Sequence, residues 1–272
     1  MVNHIRGSRI QQVASAFALV AVLGACDDDV NSPANKTGRF FGEAVTVGNG
    51  NARAYINLQD GAPTELGVVL TEAAMNNLPA NGNHGGGDHV NMTEYLLALP
   101  KEAAITPFRT VELDWNPGGH EPPGIYDLPH FDFHFYTISL NERNAIDPAD
   151  PQFNEKAARL LAPQYTPAMY IAPAPVAVPR MGVHWVDPTS PELNGQTFTS
   201  TFIYGSYDSK LIFFEPMITR EFIISRPQFS AEIRQPQQYE QAGWYPTRYT
   251  VRWDEADREY RISLTDFVKH GN

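Results

Sequence analysis

The sequence predicts a mostly β fold, an antiparallel sheet that is barrel-like or packed as a sandwich, with a few short helices and Pro-rich connections. Three observations predict it. Strand-like runs separated by turn residues outnumber helical ones. The stretches His130–Tyr136 and Tyr249–Leu264 alternate apolar and polar residues with a period of two, the period of a pleated strand. Finally, 22 prolines and 20 glycines punctuate the chain too often for long helices. With 272 residues, 42% apolar and 19% charged, the chain can bury one sizeable core and is neither disordered nor fibrous.

The first element is an export signal. Arg6 and Arg9 precede an apolar run from Val13 to Leu23, too short to cross a bilayer, which needs about 20 residues. The tetrad Leu23-Gly24-Ala25-Cys26 resembles the bacterial lipobox, in which cleavage before the cysteine leaves an N-terminal Cys that carries lipid. Residues 1–25 are thus expected to be a lipoprotein signal peptide, Cys26 the lipid attachment point and residues 26–38 a polar tether. An Asp at position 27, the second of the mature chain, resembles an inner-membrane retention signal. The expected location is the bacterial cell envelope, facing the periplasm or exterior, with the membrane as partner through the lipid on Cys26. Removing Arg6 and Arg9 leaves 18 basic against 31 acidic side chains, net −13, and so acidic a surface repels nucleic acid. A single cysteine excludes an internal disulfide framework and Cys-rich zinc modules.

Residues 39–272 are expected to form one β-rich domain. In order, the strand-like runs are Glu43–Val47, Ala52–Leu58, Leu66–Leu70, Phe108–Asp114, His130–Ser139, Gly182–Val186, Thr197–Tyr204, Lys210–Phe214, Glu221–Ile224, Arg248–Trp253 and Glu259–Leu264. Gly205-Ser-Tyr-Asp-Ser209 supplies a hairpin-length turn, and Asp254-Glu-Ala-Asp257 joins two cleanly alternating strands. Two short helices are expected at Thr71–Leu78, capped by Thr71 and ended by Pro79, and at Phe153–Leu161. Ala162–Pro179, interrupted by Pro163, Pro167, Pro173, Pro175 and Pro179, suits an extended segment wrapping the domain. The glycine-rich residues 80–89 lack the Lys-Ser/Thr of a phosphate loop and the spacing of a dinucleotide fingerprint, so they read as a surface loop carrying His84 and His89.

The densest chemistry lies between Trp115 and Tyr136. A strand at 130–136 sends Phe131, Phe133 and Phe135 to one face and His130, Asp132, His134 and Tyr136 to the other. Such a polar row is costly to bury without a metal, ligand or water, and neutral imidazole suits zinc, iron or copper. Same-face neighbours are about 6.6 Å apart, so His130 and Asp132, or Asp132 and His134, can share one ion. His130 and His134 stand about 13 Å apart on a straight strand and need a bulge to meet. Further ligands are therefore sought in His184, Glu215 and His120 with Glu121. The proposed roles are His130 and His134 as neutral ligands or proton carriers, Asp132 as ligand or orienting group, His184 as a ligand from a neighbouring strand, and Glu215 as an oxygen ligand or base.

Competing readings stay open. The same residues can form a hydrogen-bonded network in a non-catalytic, oligomeric envelope protein, or a metal-free acid–base pair. A metal-dependent enzyme would have a cupin-like site with an open coordination position for water or dioxygen. A carbohydrate-binding sandwich rests on aromatic content alone. Nucleophilic catalysis finds little support, because no Gly-x-Ser-x-Gly elbow occurs and Gly205-Ser206 falls in the expected turn.

Three parts of the chain, Gly42–Leu58, the Gly-His-Glu-Pro-Pro-Gly to Pro-His-Phe-Asp-Phe-His-Phe-Tyr stretch of residues 119–136, and Met181–Asp187 with Phe202–Asp208 and Phe214–Thr219, together resemble an uncharacterised bacterial family. It comprises small secreted or lipid-anchored proteins, a domain of unknown function with a Thermus representative. The resemblance implies a β-rich fold, export and assembly into a ring-like homo-oligomer, and implies no activity.

Overall fold

The computed structural model describes residues 1–2, 36–81, 92–173 and 176–271. Cys26, nearly all of the expected signal peptide, most of the expected tether, and His84 and His89 lie outside the described residues.

The N-terminal half forms the strands β1 (Gly38–Phe41), β2 (Val45–Val47), β3 (Gly50–Gln59), β4 (Ala62–Thr71), β5 (Thr93–Leu97), β6 (Thr110–Asn116) and β7 (His130–Tyr136), the last two with strict alternation of apolar and polar side chains. The C-terminal half adds β8 (Val183–Trp185), β9 (Ser200–Tyr207), β10 (Lys210–Thr219), β11 (Gln228–Glu232), β12 (Gly243–Asp254) and β13 (Glu259–His270). They form two antiparallel sheets. The first runs β1-β3-β4-β13-β12-β11, with β2 also on β3, and the second runs β5-β6-β7-β10-β9-β8. Neither closes on itself, so the architecture is sandwich-like and the barrel alternative is set aside.

The core lies between the sheets. Ile56, Val68, Val251, Ile262 and Leu264 of the first sheet pack with Val111, Leu113, Phe131, Phe133, Phe135 and Phe214 of the second. Tyr249 on β12 meets Phe202 on β9 at 5.3 Å between rings. These large apolar side chains hold β6 and β7 in register, since a slip by one residue would turn Phe131, Phe133 and Phe135 away from the core.

The opposite face of the second sheet is also covered. The stretch between β7 and β9 lays Ile146, Phe153, Ala157, Ala177 and Met181 over Tyr136, Ile212 and Phe213, and Tyr126 with Phe198 covers Ile203 and Met217. Within this stretch lie the short helices α1 (Leu140–Asn144), opened by a Ser139–Glu142 capping box, and α2 (Phe153–Ala157). Every residue of β6 and of β7 is consequently buried, on both faces.

Several elements differ from expectation. Glu221–Ile224 is helical within α3 (Arg220–Ile224), because Thr219 accepts a capping hydrogen bond from the Phe222 amide; the apolar run Phe222-Ile223-Ile224 fits either period. Gly205 and Ser206 belong to β9, and the turn is only Asp208-Ser209, with φ of 51° and 63°, the left-handed pair of a tight hairpin. The expected helix at Thr71–Leu78 is a single 3₁₀ turn, Glu72–Met75, because the Thr71 hydroxyl binds the Asn51 amide and does not cap. α2 stops at Ala157, four residues short of Leu161. The expected strand from Glu43 begins at Val45. β1, β5 and β11 are strands without a run read for them. The β12–β13 hairpin forms as expected, with Asp254 opposite Glu259 and its carboxylate accepting the Ala256 and Asp257 amides.

Gly205 is required by packing. A Cβ there would overlap the Phe213 ring, which in turn lies 4.8 Å from His134 and 5.6 Å from His184 between ring centres. Gly118, by contrast, has open space where its Cβ would go. Gly205→Ala is expected to cost about 1–3 kcal/mol, a drop in melting temperature of roughly 2–10 °C, while Gly118→Ala leaves it within about 1–2 °C. Thermal unfolding of both variants checks this; equal, small effects would mean that the packing around Phe213 is loose.

Candidate metal centre

Strand pairing assembles the centre. β6 sets Glu112 opposite His134, Asp114 opposite Asp132 and Asn116 opposite His130. On the other side of β7, β10 sets Met217 opposite Asp132 and Thr219 opposite His130, and the same register brings Glu215 beside His134. β8 lays His184 across from Gly205 on β9. The loop between β6 and β7 returns His120 over the sheet, its ring 4.7 Å from that of His130.

The histidines fall into two groups that a straight strand keeps apart. His120, His130 and Asp132 form one; His134, His184 and Glu215 form the second. In each, one donor atom per residue lies within 4.8 Å of the others, so each group could hold a metal ion. A third combination, Glu112, Asp114 and His134, overlaps the second. The bulge that would let His130 and His134 share one ion is absent, since β6 and β7 pair without a register shift from Thr110–Tyr136 to Asn116–His130. All six residues expected as ligands are brought together, as two sets of three.

Hydrogen bonds to the backbone orient two of the rings. His130 Nδ1 lies 2.7 Å from the Leu128 carbonyl and His120 Nδ1 2.7 Å from the Glu121 carbonyl. A carbonyl only accepts, so both Nδ1 atoms carry the proton and both Nε2 atoms present a lone pair when the ring is neutral. These Nε2 atoms face the Asp132 carboxylate, at 3.2 Å from His130 and 3.5 Å from His120, while Asn116 donates to the same carboxylate at 2.7 Å. Lone pair against carboxylate is repulsive unless a proton or a metal cation lies between. His134 stands between two carboxylates, with Nδ1 3.2 Å from Asp114 and Nε2 3.3 Å from Glu215, so a neutral ring can offer its single proton to only one of them. The two nitrogens of His134, Nε2 of His130 and both oxygens of Asp114 are buried and, among the described residues, lack the directed geometry of a hydrogen bond.

The charges confirm how demanding the site is. Arg143 of α1, fully buried, pairs with Glu94 and Glu112, and Arg180 also pairs with Glu94. Asp114, Asp132 and Glu215 have no Lys or Arg ion pair among the described residues; imidazoles are their ionic neighbours, and Asn116 donates to Asp132 as well. Burial pushes His134 down, but Glu215 and Asp114 outweigh it and hold the ring well above its ordinary value. His120 is likewise pushed down by burial and then raised by Asp132. Burial raises Glu112, Asp114 and Glu215, only partly offset by their cationic neighbours. For Asp132 burial works upward, but His130 and His120 win and hold it well below the carboxylate range. Burial, with the charges of His134 and His120, lowers His184 to about 3, so that ring is neutral at physiological pH and suited to metal ligation.

Glu112, Asp114, Asn116 and Arg143 are absent from the sequence-based set. The signal for the first three lies in Val111-Glu-Leu-Asp-Trp-Asn116, where apolar and polar residues alternate as in β7. Nothing in the chain order links that strand to β7 or Arg143 to Glu112.

Residues 59–115 match a family model. Its description is TTHB210-like, hypothetical protein TTHB210. The matched segment runs from the end of β3 to Trp115 on β6, so this part of the chain is similar to an uncharacterised family, as expected. The match lies outside the segments that suggested the resemblance, and includes Glu112 and Asp114 but none of the histidine or Glu215 positions of the centre. No curated protein and no solved structure matches the chain.

In the metal-free protein, His120 and His134 bind protons more tightly folded than unfolded. They therefore stabilise fully below the unfolded histidine value of about 6.5, and this is lost as pH rises through their folded values. Glu112, Asp114 and Glu215, also raised, act in the same direction. His184, lowered to about 3, acts oppositely, but its stability is lost only below about 6.5. With chelator present, the melting temperature is expected to fall between pH 6.5 and 9; saturating zinc, replacing the protons, is expected to remove that fall. A chelated protein equally stable at both pH values would contradict the charge arrangement described.

Proposed function

We propose that this chain is a lipid-anchored cell-envelope protein whose β domain binds a divalent transition metal, zinc, iron or copper, at the histidine–carboxylate centre. One observation carries the reading: two largely buried groups, each of two imidazoles and one carboxylate, bring one donor atom per residue within 4.8 Å of one another. A cation there takes the place of the imidazole protons and offsets the charge of the buried carboxylates. Two imidazoles and a carboxylate are an appropriate donor set for these metals. His120, His130 and Asp132 make the better prepared group, because the Leu128 and Glu121 carbonyls hold both rings by Nδ1 and Asn116 holds the carboxylate. His134, His184 and Glu215 provide a second group on the same sheet face.

After loading with zinc and removal of excess, the purified protein is expected to retain metal in stoichiometric amount by elemental analysis, and to melt higher than the metal-free form. At free zinc 100 times the dissociation constant the gain is about 2.7 kcal/mol. His130→Ala should empty the first group and His134→Ala the second. A protein that retains no metal, and whose melting temperature is unmoved by the paired substitution, would sink this reading; a metal-free protein strongly destabilised by it would favour the hydrogen-bonded network.

The envelope assignment rests on residues 1–26. In a bacterial host the chain is expected in the membrane fraction, while Cys26→Ser is expected to lose lipid labelling. Unlabelled wild-type protein would remove the anchor from the proposal.

A further inference from the structure

A pocket of about 590 Å³ opens onto the centre, within the usual range for small-molecule sites. Its polar floor is His120, His184 and Glu215, which belong to both metal groups. Its walls are apolar, with Ile203 and Met217 from the sheet and Val186 just past β8. At its rim Ile171 and Val176 are 47% and 65% exposed, so apolar surface continues from the floor to solvent. Single exposed apolar residues are ordinary, but these two continue an apolar wall that leads to buried donors.

The charge of the lining narrows the occupant further. Neither lysine nor arginine lines the pocket, whereas the carboxylates Glu121 and Glu215 do. Apart from a bound metal ion and the histidines that would hold it, a free carboxylate or phosphate entering here meets like charge and no lysine or arginine to receive it. Three protein donors per ion would leave coordination positions for an outside atom, and His120, His184 and Glu215 of the two groups line the pocket.

We infer that the pocket binds an uncharged small organic molecule with an apolar body, which reaches the metal through a single neutral nitrogen or oxygen donor. This rests on the metal reading above and adds the ligand class. The apolar body would displace water from the Ile203, Met217 and Val186 wall, and the donor would complete coordination beside His184 and Glu215.

The test uses 1-alkylimidazoles as neutral probes, from methyl to hexyl, with alkanoates of matching length as anionic controls. Binding to the zinc-loaded protein is followed by calorimetry after elemental analysis has established the metal content. Each added methylene is expected to tighten alkylimidazole binding about fourfold, from about 0.8 kcal/mol per buried CH₂. The alkanoates are expected to bind at least tenfold more weakly at each length. Ile171→Asp, at the exposed rim, should flatten the chain-length dependence while leaving metal content unchanged. A metal-loaded protein with flat chain-length dependence, or with alkanoates bound as tightly as alkylimidazoles, overturns the ligand class and leaves the metal reading intact. A protein that retains no metal overturns both.

Discussion

Ionisable side chains on a sheet face that water barely reaches must be answered by other groups of the protein, and the arrangement of the centre follows from that constraint. β7 is buried on both sides. On one side Phe131, Phe133 and Phe135 enter the core between the sheets, and this gain in apolar burial fixes which side chains point the other way. His130, Asp132 and His134 therefore face the second surface whatever the electrostatic cost. The neighbouring strands respond with Glu112, Asp114 and Asn116 from β6 and Glu215 from β10, directly across the ladder. Arg143 and Arg180 neutralise Glu94 and Glu112, and Asp114, Asp132 and Glu215 are left with imidazoles as their cationic partners among the described residues. A buried site of that composition demands protons or a cation.

The scaffold suits a preorganised centre. Most of the donors sit on paired strands, whose positions are set by hydrogen-bonded ladders and aromatic packing, and few sit on loops. Phe213 packs against both His134 and His184, and Gly205 leaves the room it needs. His120 comes from a loop, but its ring is held by a backbone carbonyl on one nitrogen and by Asp132 near the other. The stretch that covers this face excludes water over His134 and Tyr136 and yet leaves a pocket beside His120, His184 and Glu215. Folding and ion binding are coupled in such an arrangement, because the same carboxylates that attract a cation weaken the fold without one.

Much of the fold was legible in the chain itself, for local reasons. The period-two alternation in β7 and in the β12–β13 hairpin is strong, and both form, β7 ending at Tyr136 and not at Ser139 and the hairpin strands running beyond the stretches read for them. Short apolar runs were ambiguous, and Glu221–Ile224 became a helix because one threonine capped it. Gly205-Ser206 resembled a turn in composition, yet packing against Phe213 drew it into β9. The histidine-bearing residues stood out individually, since His-x-Asp-x-His on a strand has one geometric meaning. Glu112 and Asp114 did not, because an acidic residue alternating on a strand is indistinguishable from one facing solvent until its neighbours are known.

By itself, then, the sequence determined the β class, the identity of the buried polar row on β7 and the acidic balance, each a property of residue type and local spacing. Tertiary structure decided which histidines stand together. Residues at 130 and 134 share a strand face but sit too far apart to meet, whereas residues at 134 and 215, or 120 and 132, meet because antiparallel pairing and a returning loop bring them to the same few ångströms. Pairing of strands distant in sequence is a long-range choice, driven by aromatic packing between the sheets, and no local pattern in the chain encodes its outcome.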